Sequence, residues 1–146
     1  MVKVATRVLV IASVALLPTV AFAQAPACGS GETEIANTTT LLTGQYVCAK
    51  RLPDTWQELH QAGGALYDWK LGPSSAMDPV KLVGSWSGST TGVVTHAYNA
   101  GGGSYVWRVC SNGAGTYTFR SATGGVISNI TLIAGTATQS TQPCPP

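Results

Sequence analysis

Val93-Val94-Thr95-His96-Ala97-Tyr98-Asn99, then Ala100-Gly101-Gly102-Gly103, then Ser104-Tyr105-Val106-Trp107-Arg108-Val109-Cys110, is the stretch that decides the fold. Two runs of period-two alternation flank a glycine-rich turn, the pattern of two antiparallel strands joined tightly. Val94, His96 and Tyr98 fall on one face of the first run and Tyr105, Trp107 and Val109 on one face of the second. The other face carries Thr95, Ala97, Val106 and Arg108, a mixture suited to water.

The same rhythm extends on both sides. Leu82–Ser87 precedes it, and Thr116–Arg120 and Val126–Ile133 follow, separated by turns at Gly88–Gly92, Ser111–Gly115 and Ser121–Gly125. Strands linked this tightly are antiparallel neighbours. Upstream, Thr39–Ala49 reads as a further strand with Tyr46 and Cys48 on one face. Leu66-Tyr67-Asp68-Trp69-Lys70-Leu71 reads as another, with Tyr67, Trp69 and Leu71 on one side. Between them, Thr55 and Glu58 have the spacing of a capping box, Trp56 and Leu59 share a helical face, and Gly63-Gly64 supplies a stop. One short helix is therefore expected near 55–62. Residues Gly72–Pro79 are punctuated as a loop. The expected fold is mainly β, an antiparallel meander of six to seven strands arranged as a sandwich or open barrel.

Gly84-Ser85-Trp86, at the head of this meander, resembles the Gly-x-Trp that opens the first barrel strand of lipocalin-like and avidin-like proteins. The resemblance covers three residues. It implies that Trp86 plugs one end of the sheet, but the chain from Gly84 to Ile133 is too short for the eight strands of such a barrel. More broadly, Gly44 to Ile133 resembles small exported proteins of Gram-negative bacteria, which implies a location and no chemistry.

Export is expected from the amino terminus. Lys3 and Arg7 form a basic flank, and Val8–Leu17 is apolar apart from Ser13, well short of the ~18–20 residues that span a membrane. Pro18 breaks that run and Ala21-Phe22-Ala23 presents small residues to a signal peptidase, placing the cut between Ala23 and Gln24. The mature chain then reads as an extended segment at 24–38, a β-rich domain at 39–134 and a Thr/Gln/Pro-rich tail at 135–146. Removing Lys3 and Arg7 from a chain of net charge +2 leaves no net charge. Phosphate binding needs clustered excess Lys and Arg, so a nucleic-acid partner is excluded. No further apolar run is long enough to span a bilayer.

The chain has four cysteines, all downstream of that cut, and an even number in an exported chain reads as two disulfides. The preferred pairing is Cys28–Cys144, tying the ends, and Cys48–Cys110, joining two strands. Metal ligation lacks support, because no Cys-x-x-Cys occurs and His60 and His96 stand apart. No nucleophile-elbow, zinc-protease, Walker or dinucleotide motif is present, so no cofactor and no catalytic residue is assigned. Glu58 and His60, with Asp54, Asp68 and Asp78, are the material for an acid/base pair. On the expected helix, however, Glu58 serves as a cap and His60 points elsewhere.

Aromatic rings are the second candidate set, because Trp and Tyr stack on sugars and anchor protein partners. Trp56 and Trp69, outside the meander, and Tyr98 within it are the candidate ligand-binding residues. The expected function is a non-catalytic secreted or periplasmic binding or adhesion module, whose partner is a glycan or protein at the cell surface. A periplasmic inhibitor or accessory protein is the first alternative, and a glycan-acting hydrolase the second.

Overall fold

In a computed structural model, residues 25–51, 54–69, 80–138 and 143–145 are described. The leader at 1–23 with its Ala23/Gln24 cut, and the loop at 72–79, lie outside the described residues. Nine strands and one helix follow in the order β1 (Thr33–Glu34), α1 (Thr38–Leu42), β2 (Gln45–Arg51), β3 (Asp54–His60), β4 (Ala65–Asp68), β5 (Lys81–Gly88), β6 (Val93–Tyr98), β7 (Gly103–Ser111), β8 (Tyr117–Ser121) and β9 (Val126–Ala134). From β2 to β9 each strand pairs antiparallel with the next, and β9 returns to pair with β2. The result is a closed eight-stranded up-and-down barrel, with β1 added outside β7. Closure leaves the eight barrel strands without a free edge.

The mainly β, antiparallel expectation holds, and the strand count is higher than six to seven because β3 is a strand. Asp54–His60 pairs with β2 over its whole length and with β4 from Glu58 to His60. The expected helix near 55–62 is therefore wrong. Trp56, Glu58 and His60 also obey a period of two and point inward, while Gln57 and Leu59 point outward yet are buried under the carboxy-terminal segment. Burial on both faces made the pattern ambiguous, and a two-turn helix is too short to compete with a full ladder of strand hydrogen bonds. Gly63 and Gly64, read as a helix stop, instead turn the β3–β4 hairpin with φ of 87° and 89°.

Helix forms earlier, at Thr38–Leu42, where a strand was expected from Thr39. Asn37 caps it by accepting from the Thr40 N–H at 2.9 Å. α1 closes one end of the barrel. Leu42 is fully buried in the interior cluster, and the Thr38 hydroxyl donates to the Val93 carbonyl at 2.7 Å and accepts from the Ser89 N–H at 2.8 Å. β5 passes so close beneath that a Cβ on Gly88 would lie 2.4 Å from the Thr39 nitrogen.

Inside, Val47, Ala49, Leu66, Trp86, Val94, Trp107, Val109, Phe119, Ile127 and Ile130 join Leu42 in one core. Gly84-Ser85-Trp86 lies on β5, in the fourth barrel strand rather than the first, because the barrel begins at Gln45 and not at Gly84. Trp86 faces inward and its Nε1 donates to the Gln61 carbonyl at 2.9 Å.

Both disulfide assignments are corrected. The bonds are Cys28–Cys110 and Cys48–Cys144. Cys48 and Cys110 each point out of the barrel on strands that are not neighbours, so they cannot meet. Each instead fastens a terminal segment to the outer wall. Beside Cys110, Arg108 and Arg120 stand directly opposite in the β7–β8 register, an unfavourable like-charge pair. The amino-terminal segment neutralises both: Arg108 pairs with Glu34, and Arg120 Nε donates to Glu32 at 3.0 Å. That is why the face expected to be wet at Arg108 is buried.

Candidate functional site

With α1 at one end, the barrel opens at the other, where β2–β3, β4–β5, β6–β7 and β8–β9 connect. A cavity of about 390 Å³ lies there, within the size range of small-molecule sites. Its walls include Trp56 from β3, Val83 from β5, Tyr98 from β6, Tyr105 and Trp107 from β7 and Ile127 from β9. Glu58 and Asp68, direct partners in the β3–β4 register, supply its charged groups. Alternation brings Trp56, Glu58, Asp68, Tyr98, Tyr105, Trp107 and Ile127 to inward positions, and the register shift between β4 and β5 adds Val83 to the same side. Leu82, Tyr105 and Val126 are exposed at the same end and give the opening an apolar rim.

The rings form a connected wall. Trp56 and Trp107 have centroids 6.4 Å apart, Tyr105 lies near-parallel to Trp107 at 6.5 Å, and Tyr98 meets Tyr105 edge-on at 5.7 Å. A second hollow of about 510 Å³ shares Thr55, Trp107 and Ile127 and spreads over the outer face of β2 and β9 beside Cys144, with Lys50 and Asn129 in its walls. Among the described residues its walls hold fewer rings and no carboxylate.

Below the cavity runs a buried polar chain. The Tyr98 hydroxyl donates to Glu58 Oε1 at 2.7 Å, and Glu58 Oε2 lies 3.7 Å from His96 Nδ1. His96 Nε2 is 2.9 Å from His60 Nε2, and His60 Nδ1 is 3.3 Å from the Glu58 carbonyl oxygen. Both imidazoles are fully buried. Burial disfavours the charged form, so it pushes His60 down to about 4 and His96 well below the usual histidine range, with the neighbouring His60 adding to the effect on His96. Burial, reinforced by the Glu58 carboxylate, raises the Tyr98 phenol. At neutral pH the histidines are thus neutral and the phenol keeps its proton.

Neutral imidazoles allow two directions for these hydrogen bonds. With the proton on His60 Nδ1, facing the Glu58 carbonyl oxygen, His60 Nε2 accepts from His96 Nε2. The opposite tautomer pair gives the proton facing Glu58 Oε2 to His96 Nδ1. That nitrogen is buried and has no hydrogen-bond partner.

Of the rings singled out in the sequence, Trp56 and Tyr98 come together at the cavity. Trp69 does not. It is buried outside the barrel in a second cluster with Tyr46, Cys48, Leu59 and Cys144, because the carboxy-terminal segment covers that wall. Tyr46 donates to the Thr136 carbonyl at 3.0 Å in the same layer, and the Cys144 N–H donates to Gln57 Oε1 at 3.2 Å. Sequence reading named Glu58 and Asp68 only as material for an acid/base pair and Trp107 only as part of an aromatic face, and did not bring the three to one cavity. The signal was present in the alternation Trp56-x-Glu58-x-His60, which the helical reading of 55–62 concealed. Among the described residues, one trio, Cys28, Glu32 and Cys110, brings metal-ligand atoms within reach of one another, but its two sulfurs are joined to each other.

The fold and site together define a small disulfide-fastened barrel, capped at one end and open at the other into an aromatic cavity with carboxylates in its wall. Comparison with known protein families, curated proteins and solved structures found no match.

Proposed function

We propose that this protein is an exported, non-catalytic binding module that holds a small ligand in the mouth of its barrel. The observation that carries the reading is the asymmetry of the two ends. α1 and Leu42 fill one, whereas four aromatic rings surround an open cavity at the other. The cluster of rings in its wall sets this hollow apart from the larger one over β2 and β9, which has Trp107 as its aromatic residue among the described residues. Two disulfides suit an oxidising compartment, and no helix among the described residues is long and apolar enough to cross a membrane. The basic flank, apolar run and Ala21-Phe22-Ala23 supply the route there.

A thermal-shift screen of small molecules against the purified, oxidised protein tests the reading. A true ligand raises the melting temperature, perturbs tryptophan emission and loses its effect in Trp56→Ala. Ligands whose effect persists in Trp56→Ala would place binding elsewhere. Sequencing of natively secreted material from Gln24 onward tests export.

A hydrolase reading draws on Glu58 and Asp68, because a glycosidase needs two carboxyls across the scissile bond. Turnover of a glycan that disappears in Glu58→Gln would favour it over binding alone.

A further inference from the structure

We infer that the barrel mouth takes a small, flat, fused-ring aromatic molecule, held by its ring faces and edges against Trp56, Tyr98, Tyr105 and Trp107. The inference rests on the mouth being the binding site, and it adds the ligand's chemical class.

The make-up of the wall is the first argument. Beside the four rings it holds Val83 and Ile127, and Leu82 and Val126 stand exposed at the rim. A ligand entering such a site is driven in by burial of apolar surface. The polar groups among the rings are engaged within the protein: the Tyr98 hydroxyl donates to Glu58 at 2.7 Å, and Glu58 and Asp68 each have partners. A hydroxyl-rich sugar or a peptide backbone needs convergent donors and acceptors, and polar groups left unmatched in a desolvated site are costly. An aromatic ring system needs none. At about 390 Å³ the cavity is near the lower end of small-molecule sites, which suits a small fused-ring system.

Geometry supplies the second argument. Aromatic rings attract one another in offset-stacked or edge-to-face arrangements, with centroids about 4.5–7 Å apart. The planes of Tyr105 and Trp107 are only 20° apart, so a flat molecule laid against one ring is near-parallel to the other. Tyr98 stands at 72° to Tyr105 and Trp56 at 43° to Trp107, so the same molecule meets further rings at an edge or obliquely. A puckered, saturated ring can bury comparable area here but gains none of this directional match.

Third, the rings are held in place before any ligand enters. Tyr98 is anchored by its hydroxyl, and the β6–β7 turn passes so near that a Cβ on Gly102 would fall 2.6 Å from the Tyr98 Cβ. Trp56 meets Phe119 edge-on at 5.8 Å and His96 edge-on at 6.0 Å. Tyr105 lies over Gly103, where an added Cβ would be 3.7 Å from its Cε2. Rings fixed in advance lose little freedom on binding, which makes their arrangement selective for shape. Among the described residues Tyr105 is also the aromatic member of the exposed apolar set, 47% accessible, and a ligand in the mouth covers it.

Calorimetric titration of the oxidised protein with 2-naphthol, 2-decalol and N-acetylglucosamine tests the class. 2-Decalol is the saturated counterpart of 2-naphthol, similar in size and at least as apolar, so burial of apolar area alone gives the naphthol no advantage. 2-Naphthol should bind at least about fivefold more tightly than 2-decalol, and the sugar should show no heat of binding. Tyr105→Leu, which keeps an apolar side chain at an exposed position, should weaken 2-naphthol about threefold or more while changing 2-decalol less than about twofold. Binding of 2-decalol or of the sugar as tight as that of 2-naphthol, or no loss in Tyr105→Leu, overturns the aromatic class. The mouth remains the site in that event if Trp56→Ala weakens the binding, or Tyr105→Ala should circular dichroism show Trp56→Ala unfolded. Binding unchanged in both alanine variants overturns the class and the mouth together. No binding of any of the three probes overturns the class, and the mouth then stands or falls on the thermal-shift screen.

Discussion

His60 and His96 meet nitrogen to nitrogen, Nε2 to Nε2 at 2.9 Å, in the buried interior of the barrel, with His96 also facing Glu58. Folding thus holds two imidazoles in a setting that rejects their charged forms.

This makes stability depend on pH in a defined window. Both folded-state values lie below the usual histidine value of 6.5, so the unfolded chain takes up protons first. The histidine contribution is complete above about 6.5; the His60 part is lost as the pH falls through about 4, and the His96 part is lost at a pH well below the usual histidine range. Melting temperatures measured between those values should drop steadily, and the slope should flatten in the double variant His60→Gln/His96→Gln. An unchanged slope would mean that other groups set the acid sensitivity.

Glu32 acts in a lower window. The hydrogen bond from Arg120, aided by the Gly29 N–H, holds its carboxyl down to about 2. Its contribution is present above the ordinary carboxylate value and fades as the pH falls toward 2. Arg120→Gln should weaken this low-pH dependence, the Gly29 N–H still favouring the carboxylate, and leave the histidine window untouched, as acid titration followed by circular dichroism would show.

Tyr98→Phe deletes the donor to a buried carboxylate oxygen while keeping the ring. Loss of this one partner should destabilise the fold by about 1–3 kcal/mol in denaturant titrations. A negligible change would mean that solvent satisfies Glu58 in place of the phenol.

Gly88→Ala tests the plug. The added carbon would meet backbone, which yields less readily than a flexible side chain, so α1 must lift from the barrel end. Overpacking of this kind should cost about 1–3 kcal/mol. Asn37→Ala, which removes only the cap, should cost about 1 kcal/mol.

Peptide mapping without reductant should recover Cys28 linked to Cys110 and Cys48 linked to Cys144. Replacing either pair by serine should lower stability by about 2–5 kcal/mol. Trp69→Ala should also destabilise, by about 3–5 kcal/mol, without altering any ligand's affinity relative to wild type, because Trp69 packs outside the barrel.

Much of the barrel is legible in the sequence where one face is buried and the other exposed. Val94, His96 and Tyr98, then Tyr105, Trp107 and Val109, display their inward side as simple alternation. Legibility fails at β3, where Gln57 and Leu59 are covered from outside while Trp56, Glu58 and His60 point in. Local pattern cannot distinguish a strand buried on both faces from a short helix. The cavity was half visible for the same reason: Trp56 and Tyr98 stood out as rings, but Glu58 was misread as a cap.

The amino-acid order by itself determined a strand-dominated meander, its glycine turns, the even cysteine count and the inward aromatic face, because these depend on alternation and chain reversal among near neighbours. The tertiary structure alone decided that β9 closes on β2, which cysteines pair, that Trp69 lies outside while Trp56 lies within, and that His60 reaches His96. Those relations join residues far apart in the chain, and they exist only once closure of the barrel has fixed which side of each strand is interior.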